Sequence, residues 1–250
     1  MRFTCATWVV ISTCCVALSQ TVQRTADVAY LETVCVKPGN NVKFENTLKR
    51  HWRWHEKQGE TWSYLVWTVD SGENEGAYKI LSLGHTWKEV DESNALVAAT
   101  PPPEDDPGPD HETARESYYR YRPELSIASP TKQRLPLASV TYMFVKPEAV
   151  QEFVIALQRI TKSFPDGLSK QPAQWYELVT GGGKPQFLLI EEHPDWASYR
   201  GSSELDAFSN GKTANQIPEE TVKSFWNCVR SMYSETWHYR SELSRVVGSR

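Results

Sequence analysis

Two histidines four residues apart, His51 and His55, stand in the run RHWRWHEK at 50–57. On a helix that spacing stacks both imidazoles on one face. Rings so placed can hold a ligand, coordinate a metal or haem iron, or exchange protons near neutral pH. Trp52 and Trp54 flank them, and large flat side chains can line an aromatic pocket. The candidate binding residues are therefore His51, His55 and Trp52, with Trp67 from a following strand. His-x-x-x-His without a third ligand does not make a metal site, so no metal is predicted. The plainer alternative is a helix end with both rings at a wet rim.

The remaining motifs carry less. His85 and His193 end two apolar strands, with Glu192 and Asp195 beside the latter, and Asp195 reads as a helix cap. His111 lies in an acidic, proline-rich stretch and reads as solvated. Tyr119-Arg120-Tyr121-Arg122 and Trp237-His238-Tyr239-Arg240 alternate rings and basic groups, giving a strand one aromatic and one basic face. Glu124 and Glu242 are the expected partners of the basic face. Gly181-Gly182-Gly183-Lys184 sits between two strands and reads as a hairpin turn, not a phosphate loop. GxSxG and HExxH are absent from the sequence, so hydrolase and zinc-protease readings have no support. In an oxidising compartment Cys35 and Cys228 could bridge an early strand to a late helix, but the pair reads rather as two buried thiols.

The elements that must position these residues are written twice. Val36-Lys37-Pro38 recurs as Val145-Lys146-Pro147, and at the same offset of 109 Phe44, Leu48, Gly72 and Trp87 meet Phe153, Leu157, Gly181 and Trp196. YRPELS at 121–126 recurs as YRSELS at 239–244, an offset of 118. Each copy reads β-α-β-β-α-β. Val150, Phe153, Val154, Leu157, Ile160 and Phe164 form one helical stripe. His51 and His55 take the places of Ile160 and Phe164 in it, so apolar positions of one copy are imidazoles in the other.

Trp87 and Trp196 recur at one site and are expected to fill the core. A second helix is expected in the later copy from Pro218, with an apolar face running through Met232 and Tyr233. The first copy is expected to lack a strong equivalent, because PPPEDDPGPD at 101–110 cannot be helical. That loss would leave the first copy open on one side. Only a short turn at Glu112–Ser117 is expected before its last strand.

The chain has 250 residues, 40% of them hydrophobic and 23% charged, with a formal net charge of −4. This composition fits a globular chain with a core. It offers no electrostatic reason for nucleic-acid binding, and no apolar run reaches the length of a membrane span. Arg2, the apolar stretch to Leu18 and Ala17-Leu18-Ser19 follow a secretory leader pattern. The expected organisation is a signal peptide at 1–19, a first ferredoxin-like repeat at 28–126 with its proline-rich loop at 100–110, a linker at 127–136, and a second repeat at 137–244. Location is accordingly secreted or periplasmic.

Two β-α-β-β-α-β units with these aromatic positions resemble the dimeric α+β-barrel superfamily, which includes antibiotic-biosynthesis monooxygenases and NIPSNAP-like proteins. The resemblance implies an α+β fold in which two ferredoxin-like repeats join their sheets into one barrel, here within a monomeric pseudo-dimer. It also implies a pocket between sheet and helices, occupied by haem in some relatives and by quinol-like substrates in others. From the residues themselves no cofactor is predicted, and the partner is a small apolar or aromatic molecule. The leading expectation is a ligand-binding protein. The alternatives are a cofactor-independent monooxygenase or haem-handling enzyme using the same pocket, and a scaffold without ligand.

Overall fold

A computed structural model describes residues 26–101, 111–127, 133–163, 172–199 and 217–248. The expected leader, Phe164 of the helical stripe, and most of the proline-rich loop and linker lie outside the described residues. The first half runs β1 (Val28–Val36), α1 (Asn41–Lys57), β2 (Leu65–Ser71), β3 (Tyr78–His85), α2 (Trp87–Ala99) and β4 (His111–Tyr121). The second runs β5 (Leu137–Val145), α3 (Val150–Ser163), β6 (Ala173–Thr180), β7 (Gln186–His193), α4 (Glu219–Cys228) and β8 (Val229–Tyr239). No helix among the described residues is long and apolar enough to cross a membrane.

The strands close into one antiparallel barrel in the order β1-β3-β2-β8-β5-β7-β6-β4, so each half supplies four neighbouring strands. The offsets read from the sequence reproduce the strand registers. Val28 faces Arg120 as Leu137 faces His238, and both ladders shift at their ends, after Cys35 and after Phe144. The two seams also correspond. Trp67 faces Tyr239 at one, and Tyr176 faces Tyr121 at the other. Gly72 (φ +111°) and Gly181 (φ +92°) allow this closure. A Cβ on Gly72 would meet the Ser234 carbonyl at 2.5 Å, and one on Gly181 would meet the equivalent Glu116 carbonyl at 2.1 Å.

Alternation along each strand sorts the side chains into an interior and a helix-facing side. The interior holds Leu31, Trp67, Val69, Tyr119, Val140, Tyr142, Tyr176 and Trp237. Outside, α1 and α2 cover the first sheet with Phe44, Leu48, Trp52 and Val90. Helices α3 and α4 cover the second with Phe153, Leu157, Ile160 and Phe225. Cys35 and Cys228 are free thiols; Cys35 is half-buried and packs toward the interior, and Cys228 is buried at the last position of α4. Arg122 pairs with Glu124 and Glu177, and Arg240 with Glu45 and Glu242, so the basic strand faces are met by carboxylates.

Several local expectations are corrected. The counterpart of α4 by the offset of 118 is residues 101–110, almost all of them outside the described residues, but the first half has another helix, α2, directly after β3. It starts at Trp87 because Thr86 and Glu89 form a reciprocal capping box, and the proline-rich stretch follows it. Residues 111–121 form one continuous strand, not a turn and a strand. Helix α4 stops at Cys228, so Met232 and Tyr233 lie on β8. Trp87 and Trp196 do not fill the core, being 41% and 58% exposed. Trp87 lies on the first turn of α2 against Tyr118, at 5.8 Å between ring centroids.

Candidate functional site

Beneath α1 and α2, on the helix-facing side of the first sheet, lies a cavity of about 430 Å³. Its floor is built by β1 and β4 through Tyr30, Glu32, Glu116 and Tyr118, and by Ile80 of β3. Helix α1 contributes Phe44, Leu48, His51, Trp52 and His55, and α2 contributes Ser93, Asn94, Val97 and Ala98. Trp62 and Tyr64, just before β2, close one end.

Of the four residues singled out from the sequence, His51, Trp52 and His55 line this cavity and Trp67 does not. Trp67 is on the opposite face of the sheet because neighbouring strand residues alternate. Leu65, Trp67 and Val69 point into the barrel, while Val66 faces the helices. Its ring lies 4.9 Å from Tyr239, as Tyr176 lies 5.3 Å from Tyr121 at the other seam. Trp67 therefore serves barrel closure.

The two histidines are linked, with Nε2 of His55 2.8 Å from Nε2 of His51. Nδ1 of His55 meets the carboxylate of Glu60. Glu60 reaches back because Gly59, at φ +73°, turns the chain beyond the end of α1. Burial pushes the Glu60 carboxyl up, but hydrogen bonds from His55 and Ser93, the charge of His55 and the Tyr64 hydroxyl outweigh it and hold it below the usual range. A proton on His55 Nδ1 would face the Glu60 carboxylate, and the contact between the two Nε2 atoms requires one proton between the rings. The result is a carboxylate–imidazole–imidazole chain whose outer ring borders the cavity. Trp52 is fixed by its indole N–H donating to the Leu243 carbonyl at 2.6 Å and by stacking on Tyr64 at 4.7 Å.

Ser82 and His85 form a second polar pair, 2.7 Å apart. The Ser82 hydroxyl donates to the Ser63 carbonyl and so accepts from the imidazole, which is the wrong direction for an activated nucleophile. His85 stacks on Trp62 at 3.7 Å. Burial lowers its pKa, against the opposing charges of Glu89 and Glu60.

Among the described residues, no group of three or more His, Cys, Asp or Glu could hold a metal ion. The cavity suits haem poorly as arranged. The lining carries two glutamates and, among the described residues, no Lys or Arg to meet haem propionates.

Glu60, Glu32 and Glu116 escape a search for motifs. Glu32 and Glu116 were nonetheless accessible through the two offsets, which set them against Thr141 and Ser234.

No protein-family model matches the chain, and no curated protein is similar to it in sequence. Solved structures are similar in fold. A putative monooxygenase from Lactobacillus acidophilus NCFM superposes with a TM-score of 0.56 at 9% identity, over 85% of this chain and 93% of the other. An anthrone oxidase-like protein gives 0.56 at 13%, over 90% and 96%. Chlorite dismutase from Candidatus Nitrospira defluvii, in complex with imidazole, gives 0.54 at 10%, over 88% and 94%. With its single barrel closed between two like halves, this chain has the dimeric α+β-barrel fold, both units carried in one polypeptide.

Proposed function

We propose that the protein binds a small, largely apolar aromatic molecule in the cavity of its first half. The observation that supports this best is the cavity itself. It has a volume in the range of small-molecule sites, walls rich in aromatic rings and a few convergent polar groups. In the second half Phe153, Trp175, Phe187 and Phe225 pack together beneath the helices. The test is titration with p-nitrotoluene, followed by quenching of tryptophan fluorescence, since Trp52 and Trp62 line the site. Saturable quenching is expected, and Ala98→Phe, which places a ring in the cavity, is expected to abolish it. Quenching that never saturates, or that Ala98→Phe leaves unchanged, overturns the reading.

A second reading, turnover of the bound aromatic as a cofactor-independent oxygenase, is favoured by the Glu60–His55–His51 chain. Such a chain can take a proton from a phenol or activated C–H group placed against His51. The putative monooxygenase and the anthrone oxidase-like protein share the fold. Oxygen uptake with a hydroquinone or an anthrone is the measurement, and His55→Ala is expected to lower it about 100-fold or more. Haem titration followed at the Soret band checks the cofactor reading, and a spectrum unchanged from free haem is expected. Export remains part of the proposal and rests on the leader pattern alone.

A further inference from the structure

Residues 122–127, after β4, cross onto the second half, and residues 240–245, after β8, cross onto the first. The two crossings match bond for bond. In one, the Arg122 N–H donates to the Trp175 carbonyl, the Trp175 N–H donates to Ser126 Oγ, Ile127 bridges Ala173, and Thr161 donates to the Leu125 carbonyl. In the other, Arg240 donates to the Val66 carbonyl, the Val66 N–H donates to Ser244 Oγ, Arg245 bridges Tyr64, and Trp52 donates to the Leu243 carbonyl. The offsets of 109 and 118 relate every one of these pairs. Three residues nevertheless change in kind: Trp52, Tyr64 and Arg245 stand where the other crossing has Thr161, Ala173 and Ile127. Trp52 and Tyr64 line the cavity. The Arg245 guanidinium donates to the carbonyls of Trp62 and, at 2.6 Å, of Glu60.

We infer that Arg245 is a positioning residue of the cavity, through which the end of the second half completes the site of the first. This rests on the pocket proposed above. Glu60, Trp62 and Tyr64 are alternate residues of the segment that joins α1 to β2, and Arg245 holds all three by their backbones. Glu60 is the carboxylate that meets His55, and Trp62 closes one end of the cavity. Such a connection is costly to fix in one conformation, and only some conformations bring the carboxylate to the imidazole. The Glu60 N–H donates to the His55 carbonyl at 3.2 Å, so with Arg245 on its own carbonyl its backbone is tied on both sides. A planar guanidinium meets two carbonyls at once, and its charge strengthens both bonds. Ile127 keeps the same bridge with no charge at all, so the crossing itself does not require an arginine.

The test uses the whole protein and two readouts. One is the downfield proton resonance of the His55 imidazole facing Glu60, assigned by its absence from His55→Gln. The other is affinity for p-nitrotoluene, from tryptophan quenching. Arg245→Ile, which copies the other crossing, is expected to lose the resonance and to bind about tenfold or more weakly, the worth of one charge-assisted hydrogen bond. Arg245→Lys, with an ammonium in place of the fork, is expected to fall between. Ile127→Ala, at the crossing away from the cavity, is expected to lower the urea midpoint and leave both readouts unchanged. A resonance that persists in Arg245→Ile, or that is missing from the unaltered protein, overturns the assignment. So does binding that Arg245→Ile retains in full, or a loss in Ile127→Ala that equals its loss, since stability alone would then account for both. If p-nitrotoluene binds none of these proteins while the resonance still follows Arg245, the pocket reading falls and the positioning role stands.

Discussion

Phe44 and Phe153 hold the same place in two halves of one barrel, and their surroundings differ. Phe153 is packed among Phe187, Phe225 and Trp175, with centroids at 4.8, 5.0 and 6.2 Å. Phe44 touches Tyr78 at 4.8 Å, belongs to the core cluster beneath α1 and also borders the cavity. The sheets are equivalent in register, so the difference lies in what covers them. Helix α4 buries Thr221, Phe225 and Cys228 over the second sheet, whereas α2, which the offset of 109 sets against residues 196–208 and not against α4, buries Val90 alone. A thinly seated helix leaves space over the first sheet. A duplicated fold can thus keep one half as packing and release the other for a ligand.

The largest effect expected from this comparison is in the packed half. Phe153→Ala is expected to cost about 3–5 kcal/mol in urea denaturation, and Phe44→Ala at least about 1 kcal/mol less, because part of its surroundings is already empty. Equal losses would mean that the cavity is not a real difference in packing.

Next in size is a test of the link between the halves. Lys79 and Glu235 form an ion pair at 3.1 Å inside the barrel, and both are almost fully buried. Their counterparts, by the two offsets, are Leu188 and Ser117. Thr33 and Tyr142 also accept from the Lys79 ammonium, and the Trp237 indole donates to Glu235. Burial lowers the Lys79 pKa, with Glu235 opposing the shift. Lys79→Met strands a buried carboxylate and is expected to cost about 3 kcal/mol, of which Lys79→Met/Glu235→Gln should recover a part. A single substitution as mild as the double would show that the charges are not coupled.

How much of this could be read from residues alone follows from what each signal depends on. The two halves, their offsets and the helical position of His51 and His55 were legible because repeats and periodicity are local patterns. Trp67 was misplaced because a strand's alternation fixes which residues share a face, but not which face meets the helices. Helix α2 was missed because its only buried residue is Val90, so it lacks an apolar stripe, although Thr86 and Glu89 spelled its cap. Trp87 and Trp196 recur just after the third strand of each half and are exposed, so recurrence did not signal burial. Glu60 joins His55 only through the turn at Gly59, which no spacing rule brings together.

Acid should separate the halves by pH. His85 and His193, buried at the ends of β3 and β7, both have pKa values lowered chiefly by burial. A depressed imidazole contributes stability that is complete above its unfolded value, about 6.5, and is lost as pH falls through the folded value. That loss is common to both halves. Glu60 is also depressed, so its contribution is complete above about pH 4.5 and disappears below that, in the first half alone. Denaturation midpoints measured from pH 8 to 3 are expected to show both declines, and Glu60→Gln to reduce only the more acidic one, to which the depressed carboxyls of Glu89 and Glu242 also contribute. Loss of the upper decline in that variant would place the coupling elsewhere.

The smallest expected effect bears on why the first half tolerates its acidic floor. Glu32 and Glu116 face each other on β1 and β4. Relieving the cross-strand repulsion with Glu116→Gln should raise stability by about 0.2–1 kcal/mol. In the second half, Ser234→Glu places a carboxylate opposite Thr141, where no like charge answers it. No comparable repulsive penalty is expected there, although the packing of that half is tighter. A stabilised Glu116→Gln protein marks the floor as a site whose charge is kept at the expense of the fold. A destabilised one would mean that Glu116 holds the sheet together, and the contrast between the halves would then lie in volume alone.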